Sequence, residues 1–198
     1  MAFEYVNRKD DRYYLQAGKT RTGKTRYYFG REMTGTPVED LPEGYDVYES
    51  PATGQVHLRR SQSTPITPQE RETVSDGIRR YANLEHFLID VQGNSLVVYL
   101  PVMEEKAIDK LFETMGGGFL LGSARAAETK RRMMGHAQFS KMMRFQLVNA
   151  KKRLFSVQRW CFRGAIDDWL HLAGPKSLVE LVQEYAPTLG TEDFFELF

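Results

Sequence analysis

HFLIDVQGNSLVVYLP, residues 86–101, sets two apolar runs on either side of Gln92-Gly93-Asn94. Both runs are rich in β-branched and aromatic residues, and the glycine supplies the positive φ that a tight hairpin turn requires. So short a connection joins antiparallel strands, because a parallel pair needs a crossover of a dozen or more residues. This hairpin sets the expectation for the rest of the chain.

Downstream of it, Ile108, Leu111, Phe112 and Met115 fall at helical spacing before Gly116, and residues 123–134 read as a strongly basic helix. SKMMRFQLV and RLFSVQRWCF then read as strands separated by Asn149-Ala150-Lys151-Lys152. Ser177-Leu178-Val179-Glu180 is a capping box opening a helix whose stripe is Leu178, Leu181, Val182 and Tyr185, stopped by Pro187. Upstream, Thr67-Pro68-Gln69-Glu70 is a second capping box, followed by Val74, Ile78 and Tyr81 at helical spacing. Nearer the N-terminus, RYYLQA and TRYYFG flank Thr22-Gly23, and DVYES and QVHLRR flank Ala52-Thr53-Gly54 beyond the loop TGTPVEDLPEGY. No regular strand-helix alternation calls for a parallel sheet. The expected fold is α+β: antiparallel β-hairpins with about four helices in a single compact domain, residues 1–62 forming a β-rich N-terminal subdomain and 63–198 the α+β body.

A chain of 198 residues with 41% apolar and 12% aromatic content is long enough and apolar enough to bury a core. The opening MAFEYVNRKDD has no apolar segment after a basic one, and no apolar run approaches the roughly 18 residues that cross a bilayer. A lone cysteine, Cys161, excludes an internal disulfide and suits a reducing compartment, so a cytoplasmic location without membrane contact is expected.

The net charge of +1 is a sum of opposed blocks. Arg12–Arg31 carries +6, Glu32–Ser50 carries −6, Arg125–Arg163 carries +10 and Gly164–Phe198 carries −6. Within the first block, GKTRTGKTR (Gly18–Arg26) sits at a hairpin tip. With Thr22-Gly23 as a two-residue turn, Arg21 would face Lys24 and Lys19 would face Arg26, gathering four cations on one face. Like charges so placed repel, and a phosphate backbone over that face would relieve them. Tyr13, Tyr14, Tyr27, Tyr28 and Phe29 lie close enough in sequence to stack bases. Lys130, Arg131 and Arg132 on the basic helix, with Lys151, Lys152 and Arg153 at the later turn, form a second candidate phosphate grip. Nucleic acid is therefore the expected partner.

Other chemistry is less well supported. GGGFLLGS (Gly116–Ser123) lacks the lysine of a phosphate-binding loop and follows a helix rather than a strand. Asp90, Glu104 and Lys106 imitate the carboxylate, carboxylate and lysine set of a metal-dependent nuclease. Cys161 alternates with Arg159 and Arg163 while Trp160 and Phe162 take the other strand face, with no histidine nearby in sequence. His57, His86, His136 and His171 are scattered without ligand spacing, and adjacent Asp167 and Asp168 point to opposite faces of a strand. No metal or cofactor is expected. At the C-terminus Phe194, Leu197 and Phe198 would share a face if helical, as in a peptide that enters a partner's groove. The leading expectation is a non-catalytic or accessory nucleic-acid-binding protein. Its alternatives are a metal-dependent nuclease and a protein-interaction module with internally paired charge blocks and a docking tail.

Overall fold

The computed structural model describes residues 1–102, 124–163 and 166–196. In chain order these form β1 (Glu4–Val6), β2 (Arg12–Lys19), β3 (Thr25–Gly30), β4 (Thr36–Pro37), β5 (Tyr45–Glu49) and β6 (Val56–Arg60). Helix α1 (Pro68–Gly77) runs into a short π-helical turn, Ile78–Ala82, before β7 (Leu88–Gln92) and β8 (Ser95–Pro101). Helix α2 (Ala124–His136), β9 (Phe139–Asn149), β10 (Leu154–Arg163), β11 (Ile166–Ser177) and α3 (Leu178–Tyr185) follow, then 3₁₀ turns at Ala186–Thr188 and Glu192–Glu196. The described chain divides into two units, residues 1–61 with 124–138, and residues 62–102 with the residues from Phe139 onward.

The second unit is built on a five-stranded meander in the order β11-β10-β9-β8-β7, with every neighbouring pair antiparallel. Gln92 pairs with Ser95, so Gly93-Asn94 is a two-residue turn, and Gly93 takes φ 59° where such a turn needs a positive value. Leu96, Val98 and Leu100 of β8 join Met143, Phe145 and Leu147 of β9 and Phe155 and Val157 of β10 in one apolar cluster. Helices cover this face. Both capping boxes form: Thr67 Oγ1 accepts from Glu70 N at 3.3 Å and Ser177 Oγ from Glu180 N at 3.3 Å, and each glutamate returns the bond to its cap backbone. Those caps fix where Val74 of α1 and Leu178, Leu181 and Val182 of α3 begin their stripes into the cluster. The helices touch at Gly77, where an added Cβ would lie 2.0 Å from Val182 Cγ1.

The first unit has a sheet in the order β1-β2-β3, with β4 also pairing β2, and a separate β5-β6 hairpin. Its interior is partly polar. Gln16 is fully buried; its Nε2 donates to Glu32 O at 2.7 Å, and its Oε1 accepts from Thr34 N at 2.8 Å and Gly35 N at 2.6 Å. Asn7, also buried, donates to Gly54 O and accepts from Lys9 N and Asp11 N. Arg8 pairs with Glu49 at 3.0 Å, and Gly135 of α2 lies so close that a Cβ there would be 2.4 Å from Arg8 O.

The class is α+β with antiparallel sheets, as the hairpin signals implied. Among the described residues there are three α-helices rather than about four. The helix expected around residues 108–115 and the glycine-rich stretch Gly116–Ser123 lie outside the described residues. Strands β1, β4 and β11 carried no signal that periodicity could find.

Candidate nucleic-acid interface

The tip of the β2-β3 hairpin differs from the two-residue turn expected of it. Lys19 pairs with Thr25 and Gly18 with Arg26, leaving the five residues Thr20–Lys24 as the connection. Thr20 N donates to Lys24 O at 2.8 Å and Gly23 N to Thr20 O at 2.9 Å, with Gly23 at φ 80°. A two-residue Thr-Gly turn of the I′ type would force β-branched Thr22 into the left-handed region; the longer loop asks that only of Gly23. The correction matters for the charges. By strand alternation Lys19 and Arg26 fall on opposite faces, so the cations surround the tip instead of lining one face.

Lys19, Arg21, Lys24 and Arg26 are all exposed, and none forms an ion pair among the described residues. The other two cations of this block are paired, Arg12 with Glu4 at 3.1 Å and Arg31 with Asp11 at 2.6 Å. Two carboxylates of the acidic block beyond are engaged elsewhere: Glu49 holds Arg8, and Glu39 meets the amino terminus, whose hydrogen bond and charge lower the Glu39 pKa. Aromatic surface lies within reach. Arg26 lies 5.9 Å from the centroid of Tyr28, and Tyr27 is exposed.

The second basic segment separates into used and unused cations. Arg153, at φ 50°, donates through Nε to Glu70 Oε1 at 2.9 Å and through a terminal nitrogen to Pro65 O at 3.1 Å. Burial alone would raise the Glu70 pKa, but the hydrogen bonds from Arg153 and Thr67 outweigh it and hold the carboxyl below its ordinary 4.5. Arg153 is thereby spent on its own unit, and its place in a phosphate grip is withdrawn. Arg131 pairs with Glu128 at 2.6 Å one turn away, and Arg132 reaches Asp10 at 4.0 Å. Lys130 lies beside them on α2. Lys151 and Lys152 stand exposed at the β9-β10 turn without an ion pair among the described residues.

Asp90 lies on β7, where Gln92 Nε2 donates to it at 2.8 Å and to Tyr99 Oη at 3.1 Å. Glu104 and Lys106, its proposed companions, lie outside the described residues. Among the described residues no three His, Cys, Asp or Glu gather as a metal site. Phe194 is 1% exposed inside the cluster under the meander, so it is an anchor of its own unit and not a free docking side chain. Leu197 and Phe198 lie outside the described residues.

One arrangement was not assembled by the sequence reading. On the face of the meander opposite the helices, Trp160 of β10 and Trp169 of β11 are cross-strand partners with ring centroids 5.0 Å apart at 68°. Lys141 Nζ lies 4.3 Å from the Trp160 centroid and Arg144 Cζ 4.5 Å from that of Trp169. Arg144 Nε donates to Gln158 Oε1 at 2.7 Å, and burial lowers the guanidinium pKa. The alternation around Trp160 pointed to this face, but only the unforeseen β11 supplies Trp169.

Comparison with known proteins finds no matching family model, no matching curated protein and no matching solved structure.

Proposed function

We propose that this chain is a non-catalytic nucleic-acid-binding protein that grips phosphates with Lys19, Arg21, Lys24 and Arg26 at the β2-β3 tip and with Lys151 and Lys152 at the β9-β10 turn. The observation that carries the reading is the sorting of charge. Arg12 and Arg31 beside the tip and Arg131, Arg132 and Arg153 in the second segment have carboxylate partners, whereas these six are exposed with none among the described residues. Exposed, closely spaced like charges raise the free energy of the unbound protein, and condensed counterions on a phosphate backbone are released when such charges bind. Among the described residues no helix is long and apolar enough to cross a membrane. We place the protein in the cytoplasm, where a thiol such as that of buried Cys161 stays reduced.

The test is a salt series with fluorescently labelled oligonucleotides. Six phosphate contacts give a log-log slope of about −5 on duplex and about −4 on single strands. Replacing Lys19, Arg21, Lys24 and Arg26 together by Gln should flatten that slope by about 3 units and weaken binding alike across sequences, because phosphate contacts carry no base information. A quadruple variant with the parent's affinity and slope would refute the assignment of the tip.

A further inference from the structure

We propose that the meander face bearing Trp160 and Trp169 is a stacking platform for unpaired bases, so that the ligand is single-stranded nucleic acid. This rests on the reading that the chain binds nucleic acid, and adds which form of it and where the bases go. The two indoles are the only tryptophans in 198 residues, and both lie on one sheet face as direct cross-strand partners. The apolar cluster of this unit is on the opposite face, filled by Phe145, Phe155 and Phe194 and closed by α1 and α3. The indoles remain only half-buried. Large aromatics placed for stability alone gain most from full burial, which this unit gives to Phe145, Phe155 and Phe194.

A nucleotide presents a π-face and a negative charge, and this face presents an aromatic ring and a cation side by side, twice. Lys141 and Arg144 lie against the indoles and form no ion pair among the described residues. Base-aromatic stacking tolerates any sequence, since every base has a π-face, and duplex DNA cannot offer bases to it without unstacking. Charge also sets an orientation. Both cations are on β9, whereas Asp167 shares the face with Trp169 on the edge strand β11. Phosphates are therefore drawn toward β9 and held off β11, which leaves bases over β10 and β11. Along β10, Leu154 to Trp160 spans about 20 Å at roughly 3.3 Å per residue. Lys151 and Lys152 stand at the near end of that path. Such a length suits the short end of known single-strand site sizes, about four nucleotides.

Because Trp160 and Trp169 are the only tryptophans, intrinsic indole emission reports on this face alone. The full chain is titrated with labelled oligothymidylate and oligouridylate of about 15 nucleotides, and with a duplex of equal length, reading label anisotropy and indole emission together. The expected result is saturable quenching by a single strand at the same midpoint as the anisotropy change, and duplex binding without quenching. Trp169→Ala should weaken single-strand binding at least about tenfold and duplex binding little. If that variant fails to fold, Lys141→Gln with Arg144→Gln keeps both indoles in place and should weaken single-strand binding similarly. Anisotropy showing a bound single strand with unchanged emission, and unchanged affinity in these variants, overturns the platform and leaves the nucleic-acid reading standing. Binding of neither oligonucleotide form overturns both. Emission that instead changes with protein concentration, with a dimer in sedimentation, shows that a second copy covers the face and overturns the proposal.

Discussion

Strand β8 of the meander and strand β2 of the N-terminal sheet both run through the middle of their sheets, yet they are made of different material. From Ser95 to Leu100 every residue of β8 is buried, five of the six being hydrophobic, whereas β2 has buried Gln16 beside buried Leu15 and trades hydrogen bonds with Glu32, Thr34 and Gly35. The meander is held by apolar area on many residues, each worth roughly 1.5–3 kcal/mol when fully buried. The N-terminal sheet depends at its centre on a few directed bonds. The cations follow the same division. Those of the meander unit that find carboxylates, Arg79, Arg153 and Lys176, brace its own elements, while the four at the β2-β3 tip extend past any partner described.

The comparison breaks most readily at Phe194. Phe194→Ala removes a large, fully buried side chain from the meander cluster and should cost about 3–5 kcal/mol, read as a lower urea midpoint. A loss below about 1 kcal/mol would mean that the tail contributes little to the cluster and would reopen its availability to a partner.

Next in size is Gln16→Leu. The apolar replacement leaves Thr34 N, Gly35 N and Glu32 O without their partner, and about 2–3 kcal/mol should be lost. The sharper readout is hydrogen exchange: the Thr34 and Gly35 amides should lose protection while those of β8 keep theirs. Equal loss in both strands would show that the two sheets do not differ as argued.

What the sequence disclosed divides along the same line. Capping boxes and the Gly93 turn were legible because they are local, with a few residues binding one another through known geometry. β11 was not, because Asp167-Asp168 and Gly174-Pro175 carry poor strand signals, and its pairing with β10 is set by the neighbouring strand through nine Cα partners. β1 and β4 were hidden for a related reason, since three- and two-residue strands have no periodicity to detect. At the site, the charge clusters could be found by counting. Which of their members were already paired could not, because Arg153 meets a glutamate eighty-three positions away. The Trp160-Trp169 pair needed both β11 and its register.

Glu70→Gln sharpens the claim that the carboxylate-paired cations of the meander unit are structural. With its carboxyl held below 4.5 chiefly by Arg153 and the Thr67 cap, against the opposing effect of burial, Glu70 contributes stability that is fully present above about pH 4.5 and is lost as pH falls through its lowered value. Arg153 is partly exposed, so the difference at neutral pH should be only about 1 kcal/mol. Melting curves of parent and variant should therefore differ from pH 7 down to about pH 4.5 and converge below it. A gap that persists unchanged below about pH 4.5 would assign the loss to helix capping geometry and not to charge.

The smallest expected effect on stability belongs to the tip, and its smallness is what gives it meaning. Lys19 is opposite Thr25 and Arg26 opposite Gly18, so the strand pairing sets no cation directly against another, and the repulsion that would have made neutralisation stabilising is reduced. None of the four has a carboxylate partner to lose among the described residues, and all are exposed. Replacing them by Gln keeps Gly23 and the Thr20 hydrogen bonds that shape the loop, so the melting curve should move by less than about 0.5 kcal/mol in either direction. Oligonucleotide affinity should fall in the same variant. A fall in stability above about 1 kcal/mol would place these cations with Arg153, as charges spent on the fold, and would remove the distinction on which the phosphate grip was assigned. Stability unchanged and binding lost is the pairing of outcomes that only a surface kept for a partner predicts.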